Sequence, residues 1–239
     1  MLGKYHILIT LLLVSPFIKF LNLNLSLLLL VLGLIVGSLL PDTVDANDSY
    51  LLNLKSKKPL KKFIFFILRF SGKLTRFILR PFSLVLKLFF WKLNISHRGL
   101  WHSLLGILII SLSWFILTLI FSVYFRNSIL FFSFGIFLGC FLHLLQDSFT
   151  VAGIKWLYPL NFKIKGKIKT ISKFDENYKK VKFLEKNSTI FYYFLLTTIL
   201  ILLKTNTFNE IIIGSLISLI IAGLIFKVKF TYFLPNNYN

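Results

Sequence analysis

A chain of 239 residues that is 56% hydrophobic and only 15% charged, with a mean hydropathy of +0.80, is not a water-soluble globule, because such domains run at about 45–50% apolar and about 25% charged. The same apolar bulk excludes disorder, and a single cysteine, Cys140, excludes a disulfide scaffold. With 28 Lys and Arg against 8 Asp and Glu, a net charge of +20, what remains is an integral membrane protein with a strongly basic water-facing part.

A bilayer core of about 30 Å asks for roughly 20 apolar residues per helix. Runs of that kind fall at about 5–20, 22–41, 101–124, 129–150, 189–203 and 211–226, the first interrupted by Pro16 and Lys19 and the fifth also short. The first two are parted by a polar tip at Asn22 and Asn24 and read as a helical hairpin. No small-residue cleavage site stands between them, so the start is not read as a removable signal peptide.

Between the second and third runs, Arg69, Lys73, Arg76 and Arg80 recur at helical spacing with Phe and Leu filling the positions between. That pattern predicts an amphipathic helix over about 55–93, lying in the membrane interface on anionic head groups and broken near Pro81. Its basic face is read as a lipid anchor, and no specific nucleic-acid binding is expected. Further on, Gly153 is expected to cap the end of the fourth run, and the alternation in 163–169 suggests a strand in a small interfacial hairpin.

The predicted fold is therefore an all-α integral membrane protein: a bundle of about six transmembrane helices (four to six) with a basic amphipathic interfacial helix. Residues 1–159 hold the first four spans, 160–188 form a basic cytoplasmic loop, and 189–239 form a C-terminal transmembrane hairpin. The polar stretches 42–100 and 151–188 carry twelve and ten basic residues, and together with Lys4, Lys227 and Lys229 they put 25 of the 28 basic residues on one side. The positive-inside rule makes that side cytoplasmic, with both termini on it.

The rare residues gather on the same face. His6 opens the first run, Asp42 and Asp45 follow the second, His97 and His102 flank the start of the third, and His143 and Asp147 close the fourth. His143 and Asp147 are four apart, about 40° around a helix, and can reach one point. His97 and His102 converge only if His97 sits in a turn before the helix, which Gly99 permits. Ser103 reads as a helix-start hydroxyl. Imidazole and carboxylate suit a divalent metal ion, Zn²⁺ first with Mn²⁺ or Mg²⁺ as alternatives, held as one ion or as a pair. His6, Asp42, His97, His102, His143 and Asp147 are the candidate ligands. Asp45 is the candidate general base, and Arg98 the candidate for a substrate anion such as a phosphoester or lipid head group.

The strings His97-Arg98-Gly99-Leu100-Trp101-His102-Ser103 and His143-Leu144-Leu145-Gln146-Asp147, with Trp156-Leu157-Tyr158-Pro159 and Leu40-Pro41-Asp42-Thr43-Val44-Asp45, resemble those of the YdjM-like family over about residues 1–170. His6 matches its histidine near the N-terminus. Members are inner-membrane-associated proteins described as LexA-binding and as metal-dependent hydrolases. The resemblance implies a multi-pass inner-membrane, metal-dependent hydrolase and does not name a substrate. Trp101 stands where the family pattern has Thr, and one extra residue separates Asp42 from Asp45, which weakens the carry-over to Asp45. LexA binding is not carried over, since no residue pattern encodes it. Two rival functions follow from the same residues: proton or metal-ion transport, and a non-catalytic membrane anchor.

Overall fold

The computed structural model describes residues 3–18, 20–22, 24–44, 59–89, 99–125, 127–160, 162–168, 186–202, 204 and 207–232. In chain order the elements are α1 (Gly3–Ile18), α2 (Leu25–Gly37), α3 (Leu40–Val44), α4 (Pro59–Phe89), α5 (Leu104–Phe125), α6 (Leu130–Ser148), β1 (Phe162–Lys165), α7 (Lys186–Leu202), α8 (Phe208–Ile225) and β2 (Lys229–Tyr232). Helices stand at all six predicted runs. Among the described residues, three are long and apolar enough to cross a membrane: Leu104–Val123, Asn127–Ser148 and Phe208–Ile225. At 1.5 Å per residue, α1 with 16 residues and α2 with 13 fall short of the core thickness.

The second run is divided rather than continuous over 22–41. The Asn24 side chain caps α2 by accepting the Leu27 N–H at 2.9 Å. At the other end, Pro41 has no N–H to give the Gly37 carbonyl, so the helix stops after Gly37 and restarts as α3 with the proline in its first turn. That break carries Asp42 sideways off the axis of α2.

The expected break at Pro81 is absent: α4 is one helix from Pro59 to Phe89. Pro81 and Phe77, the residue whose carbonyl loses its partner, are both exposed, so the orphaned oxygen is not buried and the helix tolerates the loss.

A fold of helices alone is also corrected. The strand predicted near 163–169 forms; its Ile164 bridges locally to Ile154, and on a distant partner β1 runs antiparallel to β2, with Phe162 opposite Tyr232 and Lys165 opposite Lys229. The pairing ties residues 162–165 to residues 229–232. Gly153 is not the helix cap. Phe149 caps α6, and Gly153 lies in the following turn with φ +60, where a Cβ would meet the Ile164 carbonyl oxygen of the strand segment.

The closest helix packing joins α2 to α6. Gly33 and Gly37 on one helix, and Gly135 and Gly139 on the other, each lie where a Cβ would collide with the facing backbone. This is a reciprocal small-xxx-small contact, which lets two backbones approach in a membrane where apolar side chains gain little by leaving lipid. Around it sits a core of Val36, Leu39, Leu40, Leu79, Leu100, Trp101, Ile107, Ile110, Ile136, Cys140 and Leu144. Conversely, Leu112, Ile116 and Ile120 on α5 and Ile213, Leu216, Ile220 and Leu224 on α8 are exposed. Such faces suit hydrocarbon and not water.

Candidate metal centre

The site is assembled from four elements at one end of the α2–α6 contact. α6 brings His143 and Asp147 on successive turns, α1 brings His6, α3 brings Asp42, and a 3₁₀ turn at Leu100–His102 brings His102. Ser103 follows that turn and accepts the Gly106 N–H at 3.2 Å, opening α5 as the sequence predicts. A Cβ on Gly106 would strike the Leu100 carbonyl and Trp101 Cα, so the turn lies flat on α5. Trp101, the departure from the family pattern, is buried in the neighbouring core.

His6, His102 and His143 are fully buried and Asp147 nearly so, whereas Asp42 keeps 17% of its side chain exposed. His102 Nε2 is 3.1 Å from Asp42 Oδ1, and His143 Nε2 is 3.6 Å from the same oxygen. His143 Nε2 also lies 3.9 Å from Asp147 Oδ2, and His6 Nε2 lies 3.5 Å from Asp147 Oδ1. The His6 and His143 rings stack at a centroid distance of 4.0 Å. Two overlapping triads, His6–Asp42–His143 and His102–His143–Asp147, each offer donor atoms lying within 4.8 Å of one another.

Hydrogen bonding decides which ring nitrogens carry hydrogen. His143 Nδ1 donates to the Ser38 carbonyl at 2.7 Å, the last turn of α2 having been brought there by the glycine contact. His6 Nδ1 donates to Gln146 Oε1 at 2.9 Å, and Gln146 is itself oriented by donating Nε2 to Thr10 Oγ1 at 3.0 Å. In the neutral rings both Nε2 atoms then hold lone pairs, and both are buried with no hydrogen-bond partner among the described residues while facing carboxylate oxygens. Lone pairs set against anionic oxygens repel unless a cation lies among them. A carbonyl or amide holding the far nitrogen is also the usual outer support of a metal-ligating histidine. His6, His143, Asp42 and Asp147 therefore fit a divalent ion by chemistry as well as by placement, and His102, whose Nε2 donates to Asp42 Oδ1 at 3.1 Å, would join them on giving up that hydrogen.

Burial disfavours charge on Asp42, but the surrounding histidines, His143 first and then His102, outweigh it and hold the carboxyl well below the usual carboxylate range. Asp42 is thus set as an anionic donor.

Of the residues singled out from sequence, His6, Asp42, His102, His143 and Asp147 come together. Asp45, His97 and Arg98 lie outside the described residues. Sequence reasoning missed Gln146, Thr10 and the Ser38 carbonyl. Gln146 carried a readable signal, an uncharged polar group deep in an apolar run and three residues from His143. Thr10 is one turn from His6 and carried the same signal more weakly.

No curated protein and no solved structure matches the chain. A family model, YdjM inner membrane protein, matches residues 1–231, nearly the whole length and every residue of the centre, and the chain belongs to that family.

Proposed function

We propose that the protein is a multi-pass inner-membrane, metal-dependent hydrolase whose centre opens at the cytoplasmic face toward a phosphate-bearing or lipid substrate. The carrying observation is the pair of buried Nε2 atoms on His6 and His143, which face Asp42 and Asp147 with no hydrogen-bond partner among the described residues. The ligands would be His6, Asp42, His102, His143 and Asp147. Zn²⁺ suits this nitrogen and oxygen set best, with Mn²⁺ or Mg²⁺ as alternatives. A divalent ion bound there supplies a water acidic enough to give a nucleophile near neutral pH.

The chain's own residues do the rest. The Ser38 carbonyl and the Gln146 amide hold the His143 and His6 rings with Nε2 inward. The apolar core of Leu40, Leu100, Ile136 and Leu144 keeps bulk water from the buried side. Asp42, the one partly exposed ligand, marks the side from which substrate enters. Asp45 and Arg98 remain the candidates for general base and anion contact. The segregation of 25 basic residues supports cytoplasmic termini and attachment to anionic lipid head groups, with all six apolar helices lodged in the bilayer.

The test is elemental analysis of the purified protein alongside His143→Ala and Asp147→Ala, followed by phosphate release from phospholipid substrates. Near-stoichiometric metal in the parent and its loss in both variants is expected; equal metal content in all three would overturn the assignment.

A further inference from the structure

Asp42 is the ligand least secured by its own element. It sits on α3, five residues long and cut off from α2 by the break at Ser38 and Leu39, and so short a helix has little stability of its own. The next residue, Thr43, is gripped from outside. Arg76 of α4 donates its Nε hydrogen to the Thr43 carbonyl, and Gly72, one turn earlier, lies beside Thr43 with room for a Cβ at ordinary van der Waals contact, 3.5 Å from that of Thr43. α4 is in turn fastened to α5, where Trp114 Nε1 donates to Thr75 Oγ1 at 2.9 Å, and to the core through the buried Leu79.

Other described positions of α4 are turned away from the protein. Phe66, Phe70 and Phe77 are 64%, 58% and 77% exposed, and Lys62, Lys73 and Arg80 are exposed beside them. Water alone leaves the rings unburied and hydrocarbon alone strands the cations. The head-group boundary of an anionic bilayer accommodates both.

We infer that α4 is a membrane-dependent brace on the centre, with Arg76 as the positioning residue that transmits the seating of α4 on anionic lipid to Thr43 and hence to Asp42. The inference rests on the metal-site reading above. It makes the centre complete when the protein lies in an anionic bilayer and looser when that lipid is absent. The effect of Arg76 passes through its bond to the α3 backbone at Thr43.

The test reconstitutes full-length protein in nanodiscs of phosphatidylcholine alone or mixed with phosphatidylglycerol, and measures Zn²⁺ affinity by competition with a chelating dye. In anionic discs Arg76→Ala should weaken Zn²⁺ binding about 10-fold, as loss of an outer support does. Arg76→Lys should recover part of it by restoring a donor. Phe77→Glu, at a position turned away from the protein, should weaken binding while leaving the unfolding midpoint unchanged, and the parent should bind more weakly in phosphatidylcholine alone. Equal affinity of parent and Arg76→Ala, or parent affinity indifferent to anionic lipid, would overturn the brace. If Arg76→Ala does not fold, the two lipid compositions still decide on the parent protein. A parent that binds no Zn²⁺ in either disc would instead overturn the metal reading, so the two failures are distinguishable.

Discussion

His143 donates its Nδ1 hydrogen to the carbonyl oxygen of Ser38 at 2.7 Å, although 105 residues separate them in the chain. That bond orients the imidazole of α6 from the end of α2, and it exists because Gly37 and Gly139 let the two backbones nearly touch. Helix packing and site geometry are therefore one problem in this protein.

Enlarging either glycine should disturb both. For Gly37→Ala and Gly139→Ala, whose added methyl would meet the Ile136 and Leu34 carbonyl oxygens respectively, a loss of about 1–3 kcal/mol is expected from overpacking. Thermal unfolding in detergent, paired with metal content, checks this. Gly223→Ala is the control, since a Cβ there meets nothing within 4 Å.

Gln146 holds His6 in one tautomer and is itself buried. Gln146→Leu removes the acceptor and should lower metal affinity about 10- to 100-fold. Gln146→Glu keeps an acceptor for His6 Nδ1 but forfeits the donor to Thr10, so its loss should be the smaller. Competition binding on the two variants ranks them, and the reverse order would refute the orienting role.

Acid should release the metal through the histidines. Asp42 is held below its usual value of 3.8, so the stability its charge contributes is present above that range and is lost only as pH falls through the lower folded value. It therefore stays ionised while the pH falls toward that value, whereas imidazoles must be neutral to ligate. Retained metal should fall as the histidines protonate, before Asp42 does, as metal content after dialysis at stepped pH would show.

Pro81 is carried inside a continuous α4 at an exposed position. Pro81→Ala should restore one helical hydrogen bond and strengthen α4 by up to about 3 kcal/mol. Circular dichroism of the reconstituted variant should show no loss of helix; a drop would mean the proline shapes α4 in some other way.

What the sequence by itself determined is the medium and the inventory. Apolar run lengths located six helices to within a few residues, the asymmetry of Lys and Arg pointed to an orientation, and the scarcity of His and Asp singled out His6, Asp42, Asp45, His97, His102, His143 and Asp147, of which Asp45 and His97 lie outside the described residues. These are legible because each depends on local composition or on spacing along one helix, as the four-residue step from His143 to Asp147 does. Tertiary structure decided which helices touch and which nitrogen of each histidine faces inward. It showed that the glycines of α2 and α6 meet each other, that β1, besides bridging to Ile154, pairs with the distant β2, and that Arg76 of α4 grips Thr43. Each of those turns on partners distant in the chain, whose meeting follows from the joint packing of several helices, so no local pattern along the sequence announces it.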